Sequence, residues 1–413
     1  MRTFVNACNL LGYFCGMKRL IAIVITAAFM YMLMTVRYEM LRQRYEEQIV
    51  DLNNTNLYSF KNKLKLRQSG DYWILHNYIL PEKQFVGNES VTLNTHGTHK
   101  SLKGLHSLVK RWSGPVTITI FATDDDFLQI LYDIQFLRGC TYMKRLINSL
   151  VTFNFVFHAK YLPKKIPISN VYAYKGLINC LVSPGYLNDT LINMTHPLSK
   201  PIRYPLNLMR NVGRYSIYTY YQLSLDMNMY TSPYFAQHFL RFVSSIKLSR
   251  PYESVFCVPS FNNRMNYCMP NSAHELKRQL VKNYSNIFNI RPDVWEDEFH
   301  FLGSWLNVTS PRLQSFLLTG YHSKWQPYYV SINDMEPLAD ERFMYNTLFD
   351  RSMQIDLINY LNYEFVIMSG GYFIHRGEII EESKLKTKHS INVRAKINAI
   401  YRRQNYVLYK DGK

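Results

Sequence analysis

Apolar and polar positions alternate with two different periods from about residue 90 onward. Short apolar runs rich in β-branched and aromatic residues predict strands at residues 90–95, 116–121, 150–157, 221–225 and 254–259. Apolar residues at helical spacing predict helices between these strands, at residues 101–112, 126–137, 206–214, 232–246 and 274–283. This order of elements predicts an α/β domain with a mostly parallel sheet.

The predicted strand at residues 221–225 is followed at once by Asp226, Met227 and Asn228. Side chains just beyond the carboxyl end of a buried strand lie in a crevice where nucleotide and metal ligands are common. Carboxylate and amide oxygens suit a hard cation, although Asn carries no charge. We therefore interpret Asp226 and Asn228 as candidate ligands for weakly bound Mn²⁺ or Mg²⁺. The alternative is a polar turn that closes the strand.

The N-terminal region contains an uncharged apolar run at residues 20–36. A helix of this length spans about 25 Å and predicts a transmembrane signal-anchor, with a signal peptide as the alternative. Residues 1–19 then form a cytosolic tail. Residues 37–71 form a polar stem, for which a dimerising coiled coil is the alternative. Residues 72–413 form one globular domain.

N-glycosylation triplets follow the apolar run and none precedes it; they begin at Asn53, Asn88, Asn188, Asn193, Asn283 and Asn307. Six acceptor sites on one side of the predicted anchor indicate a lumenal domain and a type II membrane protein. The formal net charge of +18 is also compatible with nucleic-acid binding. The lumenal placement argues against that partner and favours nucleotide-sugars, acidic glycans or the membrane surface.

Four cysteines lie in the predicted lumenal part, at Cys140, Cys180, Cys257 and Cys268. An even number in an oxidising compartment predicts two disulfides, with three connectivities to choose from. We favour Cys257 with Cys268, which closes a short polar loop, and Cys140 with Cys180. No Cys or His spacing indicates a zinc site.

Two further polar stretches follow predicted strands. The loop at residues 94–98 contains Thr95 and Gly97, and its backbone N–H groups and hydroxyls can bind a nucleotide; an ordinary turn is the alternative. The acidic triplet at residues 124–126 can be a metal motif. We favour a helix N-cap there, because Thr123 and three acids precede an apolar helical run.

Six separated segments together form a pattern more specific than any single motif. They are TLNTHGTHKSLKGLHSLVKRWSGP at 92–115, YPLNLMRN at 204–211, LDMN at 225–228, PYYVSINDMEPLADERF at 327–343, YEFVIM at 363–368 and YFIH at 372–375. Together they resemble glycosyltransferase family 49, which includes β-1,4-glucuronyltransferases, over residues 90–375. The resemblance implies a GT-A-type nucleotide-sugar-binding fold, a type II Golgi anchor and a UDP-sugar donor.

The resemblance also implies which residues bind the donor and act on the acceptor. Asn207, Arg210 and Asn211 match a donor-side motif, and an arginine fork suits a diphosphate. Asp340, with Glu341 beside it, matches the carboxylate that takes a proton from the acceptor hydroxyl. The alternatives are helix capping for the first three residues and a helix cap or salt bridge for the two acids.

The implied metal site is incomplete. Asp226 matches the first acid of the family's Asp-x-Asp motif, whereas Asn228 departs from the second. His375 stands where the family has a late metal-binding His, and a structural histidine is the alternative. Residues 345–350 lack the family's glycines and residues 376–378 lack its Pro-His, which predicts a reshaped acceptor floor.

The sequence therefore predicts a metal-assisted, inverting Golgi glycosyltransferase. It would move glucuronic acid, xylose or N-acetylglucosamine from a UDP donor to a glycan or glycoprotein, with Trp325 as a candidate platform for an acceptor sugar. The alternative from another class is a non-catalytic relative that binds a glycan or a partner transferase. A third possibility, intermediate between these two, is a transferase that works without a metal ion. A homodimer, or a complex with another transferase, is compatible with either prediction.

Overall fold

The computed structural model describes most of the chain between residues 66 and 376. The described residues are 66–124, 126–164, 166–167, 178–182, 184–187, 204–246, 250–264, 266–287, 305–307, 313–319, 327–341 and 350–376, with residues 25–26, 28, 30–33, 35–36 and 399. Contacts divide the chain into two units, Met1–Lys63 with Asn170–Asn179, and Leu64–Ser169 with Cys180–Lys413. The strands and helices below belong to the second unit.

Several predicted features lie outside the described residues. These are the tail, the stem up to residue 65, much of the predicted anchor, Asn53, Asn188, Asn193, Trp325, and residues 345–349 and 377–378. Within the described part of the chain, no helix is both long enough and apolar enough to cross a membrane. The three described sequon residues, Asn88, Asn283 and Asn307, are all exposed.

The described residues form fourteen strands in two sheets. The strands are β1 (Leu66–Ser69), β2 (Tyr72–Ile79), β3 (Gly87–Gly97), β4 (Val116–Ala122), β5 (Val151–His158), β6 (Thr219–Ser224), β7 (Met229–Thr231), β8 (Ser254–Val258), β9 (Ser260–Asn263), β10 (Ser285–Ile287), β11 (Gln314–Thr319), β12 (Tyr328–Ile332), β13 (Glu364–Ser369) and β14 (Phe373–His375). The larger sheet has the order β1-β2-β5-β4-β3-β6-β12-β8-β13-β11, and the smaller sheet has the order β10-β9-β14-β7.

The predicted parallel arrangement is correct for the centre of the large sheet and wrong for its flanks. Strands β5, β4, β3 and β6 pair in parallel. Every residue of β4 is buried, as expected for a parallel strand covered on both faces. Antiparallel pairs formed by β2 on one side and by β12 on the other extend this centre. The domain is therefore mixed α/β rather than mostly parallel.

The structure gives the bounds of seven α-helices: α1 (Leu105–Trp112), α2 (Phe127–Gly139), α3 (Lys144–Leu150), α4 (Leu206–Arg214), α5 (Phe235–Ser245), α6 (Ala273–Val281) and α7 (Asp350–Tyr360). The first third of the predicted helix at residues 101–112 belongs to a 3-10 segment, His99–Gly104. Helix α3 was not predicted, because seven residues give too short a periodic signal. The β1–β2 hairpin was also missed, although Gly70, with φ +54°, is a usual signal of a tight turn.

Helix α4 joins the parallel centre of the sheet to the candidate site. Its apolar residues Leu208, Met209 and Val212 pack in a buried cluster with Phe121 of β4 and Val156 of β5. Burying side chains of this size contributes about 1.5–3 kcal/mol each. The polar residues of α4 are thereby held in one fixed orientation over the sheet.

The close packing of α4 depends on Gly213. A Cβ atom at this position would lie 1.9 Å from Oδ1 of Asn94, whose amide group donates to the Arg210 carbonyl and to Ser224. We expect Gly213→Ala to lower the free energy of unfolding by about 1–3 kcal/mol despite the better helix propensity of Ala. Denaturant unfolding measures this loss.

A double-mutant cycle controls this prediction. In Gly213→Ala/Asn94→Ala the clashing side chain is absent, so the double variant should lose less stability than the two single changes added together. Additive losses would contradict a steric origin.

The cysteine prediction is half right. Cys140, at the end of α2, is bonded to Cys180, with Cα atoms 5.4 Å apart. Cys257 and Cys268 are both free, so the predicted bond between them is wrong. The reason is that Cys257 lies in β8, paired on both sides by β12 and β13, with its side chain in a buried cluster. Cys268 is exposed, and short sequence separation does not bring it to this thiol.

Candidate functional site

The candidate site lies at the carboxyl ends of β3 and β6. The chain proceeds from β3 to β4 and β5 on one side, whereas β6 pairs with β3 on its other side. The strand order therefore reverses between β3 and β6. In open α/β sheets, such a reversal leaves a crevice outside the carboxyl ends of the two strands, and ligands bind there. His96, near the end of β3, and Asp226, two residues beyond β6, lie at this point.

Both carboxylate oxygens of Asp226 are in contact with donor groups. Oδ1 lies 3.3 Å from Nε2 of His96 and 3.4 Å from a guanidinium nitrogen of Arg210. Oδ2 accepts a hydrogen bond from the Tyr328 hydroxyl at 2.8 Å and lies 3.3 Å from a guanidinium nitrogen of Arg351. These groups come from β3, α4, β12 and α7, so the site is assembled from four separate elements.

The surroundings of Asp226 keep it ionised. Burial raises the pKa of its carboxyl, but the hydrogen bond from His96 and the charges of Arg351 and Arg210 outweigh this, so the pKa lies well below its usual range. Burial raises the pKa of Tyr328 above its ordinary value, so its hydroxyl stays protonated and acts as a donor. The side chain of Asp226 is 33% exposed, whereas those of Arg210 and Arg351 are 12% and 13% exposed.

Helix α4 presents a polar face that binds the segment 333–341. Asn207 donates its amide to the carbonyl of Asp340, at 2.8 Å. Asn211 donates to the carbonyl of Ala339 at 2.8 Å and accepts from the Ala339 N–H at 2.9 Å. Arg214 donates to the carbonyls of residues 333, 336 and 337. Residues at i, i+4 and i+7 lie on one helix face, which explains this ladder.

The predicted donor-binding residues therefore contact different partners. Arg210 points to Asp226, while Asn207 and Asn211 fix the backbone that carries Asp340. Thr95 is fully buried in β3, and its hydroxyl lies 3.7 Å from the sulfur of Met227. Thr95 is therefore part of the strand packing rather than an exposed loop donor.

The two predicted acceptor-side carboxylates differ in their surroundings. Glu341 accepts a hydrogen bond from Asn211 at 2.9 Å and lies 3.4 Å from the hydroxyl of Ser69. Asp340 is half-buried, and its backbone is held by Asn207. Glu341 thus helps to hold the segment on α4, and Asp340 is the better candidate for chemistry.

Asp124 and Asp126, the two described residues of the acidic triplet, come just before α2. Helix α2 begins at Phe127, directly after Asp126. The Thr123 hydroxyl donates to the Asp126 carboxylate at 3.0 Å, and no side-chain hydrogen bond caps the helix. The predicted position before the helix is therefore correct for Asp126, and the predicted side-chain cap is not formed.

Two of the three predicted metal ligands are in contact with each other. Nε2 of His375 lies 2.8 Å from the amide nitrogen of Asn228, and its Nδ1 lies 3.0 Å from Oδ1 of Asn262. With the proton on Nδ1, Nε2 accepts from Asn228. Burial lowers the pKa of His375 to about 4, so the ring is neutral. Asn228 and His375 thus hydrogen-bond to each other, and the charge of Asp226 opposes the lowering of the His375 pKa.

This arrangement does not fit a divalent cation. A carboxylate has about four lone-pair positions, and four donor groups already surround Asp226. Two guanidinium groups within 3.5 Å of the same carboxylate would also repel a dication. Within the part of the chain that the structure describes, no group of three His, Cys, Asp or Glu side chains can hold a metal ion.

The family model for "Glycosyl-transferase for dystroglycan" matches residues 90–409. The chain belongs to this family. The chain is also 26% identical over 337 residues to "Beta-1,4-glucuronyltransferase 1" of Danio rerio, covering 75% of this chain and 73% of that protein. It is 22% identical to "Xylosyl- and glucuronyltransferase LARGE1" of Danio rerio, over 70% of this chain and 31% of that protein. The family resemblance predicted from the motifs is confirmed, and the chain is a glycosyltransferase.

Solved structures are less similar. The S. aureus TarS fragment 1–349 with UDP-GlcNAc aligns with 73% of this chain and 62% of that chain, at 10% identity and a TM-score of 0.33. A superposition this weak supports no conclusion about the site.

Sequence reasoning missed three residues that surround Asp226. His96 lies in the loop motif from which only Thr95 was chosen, and its ring nitrogen also lies 2.9 Å from the Tyr204 hydroxyl. Tyr328 belongs to the segment that carries the family resemblance. Arg351 directly follows the region where the family pattern is lost, so no motif pointed to it.

Proposed function

We propose that this glycosyltransferase moves glucuronic acid or xylose from a UDP donor to a glycan acceptor, with inversion at the transferred carbon. The names of the similar proteins suggest these two sugars, and N-acetylglucosamine is the third candidate from the sequence. One observation carries the proposal. Asp226, Arg210 and the segment bearing Asp340 meet at the strand reversal between β3 and β6.

The proposed roles follow from this geometry. Arg210 has a planar fork of N–H donors, which suits the oxygens of a diphosphate. It also donates to Asn207, at 3.0 Å, so its position is coupled to the segment at Asp340. Asp340 would take the proton from the acceptor hydroxyl as that oxygen attacks the sugar carbon. The bond to the UDP oxygen breaks in the same step, and UDP leaves.

The proposed reaction does not depend on the predicted cation. Asp226 is the single carboxylate among the three candidate ligands, and four donor groups surround it. We propose that Mn²⁺ or Mg²⁺ binds weakly, if it binds at all.

We also propose a Golgi location, with a type II anchor at residues 20–36 and a lumenal catalytic domain. The disulfide between Cys140 and Cys180 supports an oxidising compartment. The exposure of Asn88, Asn283 and Asn307 supports access for glycosylation. A mass shift on endoglycosidase treatment of protein from microsomes would test this placement.

The second candidate function is binding without catalysis. It is favoured by the hydrogen bond between Asn228 and His375, which occupies two groups expected to serve a metal. A binding protein of this kind would retain affinity for a glycan or partner transferase and would not bind UDP.

Calorimetric titration of UDP tests the proposed function. We expect wild-type protein to bind UDP and Asp226→Ala to bind about 10- to 100-fold more weakly, because the charged acceptor that orients His96, Arg210 and Tyr328 is lost. Asp334→Ala is a matched control, since Asp334 is exposed and lies outside the crevice contacts described above. Equal binding by Asp226→Ala and wild type would disprove the site, and no binding by wild type would favour the second function.

A further inference from the structure

Arg351 occupies the place where a cation would be expected in the donor site. Its guanidinium lies 3.3 Å from Oδ2 of Asp226. It also stacks over the Tyr328 ring, with Cζ 3.6 Å from the ring centroid. Stacking on an aromatic face and pairing with a carboxylate together fix the plane of a guanidinium.

The helix that carries Arg351 is rigidly attached to the domain. Gln354, one turn further along α7, donates to the Pro337 carbonyl at 2.7 Å and to the Glu336 carboxylate at 3.1 Å. Ile355 and Ile358 of the same helix are fully buried in a cluster with residues of β8 and β13. A side chain in the first turn of such a helix is positioned before any ligand arrives.

The remaining donors of Arg351 are suited to an anion. A guanidinium has five N–H donors, and among the described residues the hydrogen bond of Arg351 is the one to Asp226. Arg210 approaches the other oxygen of the same carboxylate, so two planar forks flank one point of the crevice. Phosphate oxygens are among the ligands that such forks bind with paired, charge-assisted hydrogen bonds.

We propose that Arg351 binds the diphosphate of the donor directly and, with Arg210, supplies the positive charge that a divalent cation would otherwise supply. This inference rests on the proposed function. The charge that develops on the departing UDP oxygen would be stabilised by N–H donors already in place. Asp226 would then act as the anchor that holds both arginines, rather than as a metal ligand.

The inference predicts metal-independent binding of the nucleotide. UDP should bind the full-length wild-type protein in EDTA, and added Mn²⁺ should change its affinity by less than about threefold. Arg351→Gln should weaken UDP binding in EDTA by about tenfold or more, and Mn²⁺ should not restore it. Arg351→Lys should fall between the two, because it keeps the charge and loses the fork.

The controls distinguish the loss of the contact between Arg351 and UDP from unfolding of the variant and from a general loss of positive charge. Arg241→Gln removes an exposed arginine from α5 and should bind UDP like the wild type. Near-ultraviolet circular dichroism and the thermal midpoint should show that Arg351→Gln and Arg351→Lys are folded. A graded order of wild type, Lys and Gln requires the side chain itself to contact the ligand.

Three results would count against the inference, in distinguishable ways. UDP binding that disappears in EDTA and returns with Mn²⁺ would overturn the inference and leave the proposed function intact. Unchanged UDP binding by folded Arg351→Gln would also overturn the inference alone. Absence of UDP binding by the wild type, with and without Mn²⁺, would overturn the proposed function and the inference with it.

Discussion

Asp340→Asn should lower kcat by about 10²- to 10⁴-fold, the usual contribution of a positioned general base. The amide has a similar shape but cannot take the acceptor proton. Asn207 holds the backbone at this position, so the segment should stay in place. The KM for the UDP donor should change little, since the base acts on the acceptor in the transition state. Steady-state kinetics with a labelled UDP-sugar measures both constants.

Two neighbouring changes test the assignment of the base. Asp334→Asn alters an exposed acid of the same segment and should leave kcat within about twofold of the wild type. Glu341→Gln should weaken the contact with Asn211 and cost less activity than Asp340→Asn. A larger loss in Glu341→Gln than in Asp340→Asn would transfer the role of base to Glu341.

Asp133→Asn should lower the free energy of unfolding by about 1–3 kcal/mol, because an amide cannot accept all the hydrogen bonds that a buried carboxylate accepts here. The Asp133 carboxylate lies in α2 and has no solvent exposure. It accepts from His99 at 2.5 Å, Gln129 at 2.8 Å, and the backbone N–H groups of Gly185 and Tyr186 at 2.9 and 3.0 Å. An amide would place its own N–H donors against these donors.

The effect of Asp133→Asn should depend on pH in a defined direction. Burial raises the pKa of this carboxyl, but the hydrogen bonds from His99 and from the Gly185 backbone outweigh this, so the pKa is lowered. A lowered folded-state pKa gives stability that is complete above the usual Asp range and is lost as the pH falls through the folded value. The difference in stability between wild type and Asp133→Asn should therefore shrink on acidification.

Denaturant unfolding at several pH values measures this difference. Asp71→Asn is a matched control, because Asp71 is exposed, and its stability should follow the wild type at each pH. A stability difference that does not change with pH would contradict the role of the Asp133 charge.

Local sequence patterns determined where many elements lie. Helix α4 has the bounds that its apolar spacing predicts, residues 206–214, and β4 extends the predicted strand by one residue. The reason is that a helix or a buried strand is encoded by the side chains within its own length. The position of Asp226 just beyond β6, the family, and the pairing of Cys140 with Cys180 were likewise predicted from the sequence.

Only the tertiary structure decided which side chains meet at Asp226. Tyr328 and Arg351 lie 102 and 125 residues away along the chain. They reach the site because β12 pairs with β6 and because α7 packs on the neighbouring strands. Strand order and register arise from packing among distant segments, and no local period encodes them.

The same reason explains why one predicted disulfide is wrong and why residues of one motif have different contacts. Cys257 was predicted to bond with Cys268 from their short separation, but its central strand directs the thiol into the core. Asn207, Arg210 and Asn211 share a motif, yet in the folded chain the two asparagines contact the backbone of the segment 333–341 and Arg210 contacts Asp226. A sequence motif determines which chemical groups are present, whereas the burial and neighbours that decide their use exist only in the folded chain.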